Sequence, residues 1–120
     1  METITVESMI ADLREIVQGN EDRKAACMYR KLDPRTLEPL EPPQGECIAG
    51  VWFERHGLLE DIQEGRDAHS ELKRLAEAGV LVFEDQAGGL LSQAQRTQDN
   101  GRTWGEALER AIKLFGPKGD

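Results

Sequence analysis

The chain has 120 residues, with 15 Lys and Arg against 23 Asp and Glu, and so carries a net charge of −8. That length fits one domain, 1–120, with a real core, and the negative balance disfavours general attraction to phosphate backbones or anionic lipid. No apolar run approaches the roughly 20 residues a membrane span needs, and Cys27 and Cys47 sit among apolar neighbours with no leader pattern, so reduced thiols and a cytoplasmic setting are expected.

The first helix is predicted over Val6–Gln18. Thr5 caps it, Glu7 favours the positive end of its dipole, and Val6, Met9, Ile10, Leu13, Ile16 and Val17 form the buried stripe. Ile4 and Met9 are placed as a hydrophobic staple, and Gly19 terminates the helix. Residues Cys27–Leu32 lack a helical stripe and read as a short strand. Asp33-Pro34-Arg35-Thr36 and Glu38-Pro39-Leu40-Glu41-Pro42-Pro43 exclude helix, because proline removes donors and restricts the residue before it. The proline-containing loop 33–46 is therefore expected to fold back as an irregular hairpin or to remain a surface insertion.

Gly45–Gly57 reads as a short, largely buried helix with Cys47, Ile48, Val51 and Trp52 on one face. Gly50 inside it predicts a close backbone approach, since glycine there otherwise costs about 1 kcal/mol relative to alanine. Leu58, Leu59 and Ile62 are expected to close the core. Asp67–Ala78 is a helix with Ala68, Leu72, Leu75 and Ala76 inward, Gly79 as terminator and Val80 in contact across a Schellman end. Val80–Glu84 reads as a strand, apolar on both faces and hence buried or covered. Asp85 is expected to cap the next helix, which stops at Asn100-Gly101. Thr103 and Glu106 then form a capping box for a last helix whose face is Trp104, Ala107, Leu108, Ala111, Ile112 and Phe115.

The fold class expected is mainly α with an α+β character: about five helices, and a two-stranded element made of Cys27–Leu32 and Val80–Glu84. Two short strands are marginal alone. They must pack on helices or extend across a symmetric homodimer.

Little points to catalysis. Cys27, Cys47, His56 and His69 are the only soft metal ligands, and no two have chelating spacing, so no metal or cofactor is expected. Cys47 and His56 are too far apart on one helix to act as nucleophile and base. Gln86-Ala87-Gly88-Gly89 at a helix start has free amides for an anion but lacks the lysine and spacing of a phosphate loop. No catalytic residue is assigned. Ser70–Val82 is similar to the recognition helix and first wing strand of winged-helix regulators, which implies DNA contact through Lys73 and Arg74. The acidic blocks 1–22 and 38–64 allow a second alternative, a nucleic-acid mimic. Between these blocks lies a basic island of Arg23, Lys24, Arg30, Lys31 and Arg35, and with Leu37 and Leu40 its second half makes the expected partner-binding segment: Arg30, Lys31, Arg35, Leu37 and Leu40.

Cys27-Met28-Tyr29-Arg30, Cys47-Ile48-Ala49-Gly50 in a helix closed by Gly57, and Leu90-Leu91 through Gln95, Gln98-Asp99 and Trp104-Gly105-Glu106-Ala107 together give a layout that resembles small uncharacterised cytoplasmic proteins of actinobacteria and their phages. The resemblance implies a phage or actinobacterial setting and no catalytic residues. The function expected is a non-enzymatic accessory protein, phage-encoded and binding a host protein.

Overall fold

A computed structural model describes residues 2–26 and 28–117. Along the chain it runs β1 (Glu2–Ile4), α1 (Val6–Val17), α2 (Ile48–Arg55), a single 3-10 turn (Leu59–Asp61), α3 (Ala68–Glu77), β2 (Leu81–Phe83), α4 (Asp85–Asp99) and α5 (Trp104–Phe115). This is the mainly helical fold with a small β element that the pattern predicts, but the strands are not the expected pair. β1 pairs with β2 in parallel, with Glu2 opposite Leu81, Thr3 opposite Val82 and Ile4 opposite Phe83. Of the expected strand Cys27–Leu32, Cys27 lies outside the described residues, and Arg30 and Leu32 form only isolated antiparallel bridges to Gly45 and Pro39. Prolines on the returning arm leave no continuous row of donors for a ladder.

The locally signalled helices form as read. Thr5 Oγ1 accepts from the Ser8 amide at 3.0 Å while Ser8 Oγ accepts from the Thr5 amide at 2.9 Å, closing a capping box. Ile4 and Met9, the staple pair, are both buried. After α3, the Gly79 amide bonds to Ala76 O and the Val80 amide to Leu75 O, the two bonds of a Schellman end, with Gly79 at φ 78°. Val80 and Val82 nevertheless remain exposed, so one side of the β2 strand stays uncovered.

α2 is shorter than the expected Gly45–Gly57, because Cys47 is its cap and not part of its face. Ile48, Ala49, Gly50, Trp52 and Phe53 are all buried, which places α2 at the centre of the core. Gly50 is where the predicted close approach occurs: a Cβ on it would lie 2.2 Å from the Tyr29 carbonyl oxygen.

α4 organises the rest through its polar side chains. It begins one residue earlier than an Asp85 cap would allow, with Glu84 at the cap position and Asp85 as the first helical residue. Glu84 Oε1 accepts instead from the Val6 amide at 2.7 Å, at the start of α1. Gln95 Oε1 accepts from the Ala68 amide at the start of α3, and Gln98 Oε1 from the Ile48 amide at the start of α2, both at 2.9 Å. One helix thus satisfies a free N-terminal donor on each of three others. Its apolar face meets α5, where Trp104, Ala107, Leu108 and Ala111 are buried. Arg23 lies over the Trp104 ring, 4.3 Å from its centroid.

Candidate functional site

Residues 29–46 form an irregular antiparallel hairpin in place of an open loop. Its arms are tied by the Lys31 amide to Gln44 O at 2.8 Å, the Leu40 amide to Lys31 O at 3.1 Å, and the Glu46 amide to Tyr29 O at 2.9 Å. The base is anchored in the core. Tyr29 is buried, with its hydroxyl donating to Arg66 O, and burial raises its phenol above the ordinary range. Glu64 accepts from the Tyr29 and Arg30 amides at 2.8 and 3.0 Å. Gly45 admits no side chain, since a Cβ would sit 2.4 Å from the Val51 amide nitrogen.

The five residues proposed from sequence divide between base and tip. Arg30 belongs to the base: its guanidinium donates to the carbonyls of Leu59 at 2.8 Å, Glu60 at 3.2 Å, and Ile62, with Glu64 3.6 Å away. Lys31 and Arg35 are exposed, and Leu40 is half-buried. Leu37 stands at the tip, 72% exposed, with φ 61°. A left-handed conformation costs a residue with a Cβ roughly 1–2 kcal/mol. Two bonds pin it there, since the Leu37 amide donates to Asp33 O and the Asp33 amide to Glu38 O, each at 2.8 Å, while Asp33 Oδ1 accepts from the Arg35 amide at 2.8 Å.

The other features singled out by sequence have internal roles. Cys47 caps α2, its sulfur accepting from the Gly50 amide at 3.2 Å, and burial pushes its thiol up to about 12. A thiol held protonated is a poor nucleophile. His56 lies at the opposite end of that helix, and no group of three metal-binding side chains occurs among the described residues. Gly88 and Gly89 make room for aromatic rings: a Cβ on Gly88 would meet His69 at 2.5 Å and Phe83 at 2.8 Å, and one on Gly89 would meet Phe115 at 2.6 Å. His69 also reaches Asp85 at 2.9 Å. Arg74 is engaged by the buried Glu71 at 3.1 Å and by Asp61 O, and β2 has a parallel partner where a winged helix needs an antiparallel one. In the acidic block 38–64, Glu46, Glu54 and Glu64 accept backbone donors within the molecule.

Two adjoining clefts run between α1 and α5, of 560 and 580 Å³, sharing Arg14 and Ile112. Val17, Leu108, Ile10 and Ala11 give them an apolar floor, and Glu7, Glu21, Glu109 and Lys113 a rim of both signs. No helix among the described residues is long and apolar enough to cross a membrane. Comparison of the chain with models of known families, with curated proteins and with solved structures gives no match.

Proposed function

We propose that this is a non-enzymatic interaction protein that works in the cytoplasm, a phage-encoded or actinobacterial accessory factor that docks its hairpin on a host protein. The observation that carries the reading is Leu37: an exposed leucine in a left-handed backbone at the tip of a hairpin whose base is locked into the core. Both properties cost stability, and folding alone requires neither; strain of this kind clusters where a chain recognises something. The partner fitted to this tip has an apolar socket for Leu37, a shelf for Leu40, and carboxylates at the edge to meet Lys31 and Arg35. Arg30 acts behind them as the brace that fixes the hairpin's direction.

The test is capture of partners from an actinobacterial lysate, followed by titration calorimetry of the purified pair. Leu37→Asp should weaken binding by roughly 30-fold or more, as for a residue that anchors an interface, while Leu37→Met should retain most of it. Equal affinity of Leu37→Asp and the parent for every partner captured would end this reading.

A further inference from the structure

His56 closes α2 with its ring held between two other elements. Nδ1 lies 2.9 Å from Glu2 Oε1 on β1, and Nε2 lies 2.8 Å from Asp12 Oδ2 on α1. The side chain is 13% exposed, and the imidazole lies against the Trp52 indole, 4.2 Å centroid to centroid and tilted by 36°. Among the described residues, the other charged groups at this cluster are Arg55, 3.7 Å from Asp12, and Glu15, which Arg55 reaches at 2.8 Å. Neutral imidazole carries a single N–H, so it can donate to one carboxylate only; both bonds coexist only on the imidazolium.

We propose that His56 is a proton-operated clasp on strand β1, closed while the ring is charged and released at its Glu2 arm when the proton leaves. The surroundings decide which arm opens. Asp12 has a side chain 18% exposed, accepts a further bond from Trp52 Nε1 at 3.1 Å, and has Arg55 beside it, so it keeps the remaining N–H. Glu2 is 52% exposed and has water as an alternative partner, so it lets go. The direction follows from the proton count: the imidazolium holds both carboxylates and the neutral ring holds one. Its consequence is local, because Glu2 is the first of only three residues pairing β1 with β2. His69 provides the contrast, since among the described residues one of its ring nitrogens meets a carboxylate, that of Asp85, and the other meets none.

The experiment is amide hydrogen exchange of β1 and β2, corrected for the intrinsic base-catalysed rate, across about pH 5 to 8, the interval in which imidazole changes charge. In the parent chain, protection should fall roughly two- to fivefold with rising pH, the factor carried by a half-exposed ion pair. His56→Gln and Glu2→Gln should remove that dependence, and His69→Gln should keep it. Glu2→Gln alters an exposed side chain and so tests the clasp even if His56→Gln folds poorly. Flat protection in the parent, or an unchanged pH dependence in Glu2→Gln, would overturn the proposal.

Discussion

The α4–α5 hairpin and the 29–46 hairpin are both chain reversals anchored in the same core, and they are built on opposite principles. In the first, every large apolar side chain at the start of α5 is turned inward, and its capping box is complete, with Thr103 accepting from the Glu106 amide and the Glu106 carboxylate held below its usual range by the Thr103 backbone and hydroxyl. In the second, the base is packed so closely on α2 that neither Gly45 nor Gly50 has room for a Cβ, yet the tip carries an exposed leucine in a strained backbone. One reversal buries its large apolar side chains, at the cost of leaving Trp104 Nε1 without a hydrogen-bond partner among the described residues, and the other holds a shape with an apolar side chain left in water. A chain under selection for folding alone would place glycine or asparagine at position 37.

That contrast can be broken most forcefully at Trp104. The ring is fully buried, and Trp104→Ala should cost about 3–5 kcal/mol in urea denaturation; a parent-like midpoint would show that the α4–α5 reversal is not the stability-bearing one. Next comes Gly50→Ala, where the added methyl would collide with the Tyr29 carbonyl. Overpacking of this kind costs about 1–3 kcal/mol, and the exchange protection of the Glu46 amide, which bonds to Tyr29 O, should fall with it, because helix and hairpin base are pressed together there. Insensitivity at Gly50 would mean that the hairpin base is free to move.

Leu37→Gly should act in the other direction. Relief of the left-handed strain, less the backbone entropy of glycine, should stabilise the chain by about 0.5–1 kcal/mol while removing the side chain proposed to bind at the tip. A destabilised Leu37→Gly would show that Leu37 supports the fold, which would erase the difference between the two hairpins. The smallest effect is expected at Cys47, beneath both. With its thiol pushed up to about 12, it should resist alkylation in the native protein at about pH 8 and react only after denaturation; rapid native labelling would contradict its burial.

What could be read from sequence was whatever has its cause within a few residues. Thr5, Gly19, Gly79, Thr103 and the apolar stripes of α1, α3 and α5 are local signals, and the structure uses each of them. Gly50 was legible too, because a glycine inside an apolar helix needs a neighbour to justify it. β1 was not: three residues beside a helix cap give no alternation, and their partner lies at the far end of α3. Nor were the caps supplied by Glu84, Gln95 and Gln98, since a polar side chain does not announce that its acceptor serves another helix. Of the proposed partner-binding segment, Lys31, Arg35 and Leu37 are exposed, whereas Arg30 is enclosed among carbonyls that sequence spacing could not place beside it.

The parallel pairing of β1 with β2 also sets an order of events during synthesis. Glu2 and Leu81 are 79 residues apart, so at about 5–20 residues per second the first strand waits roughly 4–16 s for its partner to be made. Until then, the inner side of α1 has neither α4 nor α5 to rest on, and Ile4 has no strand beside it. The nascent chain therefore exposes an amphipathic helix with an open strand edge for seconds, a form that a chaperone would meet before the finished domain exists.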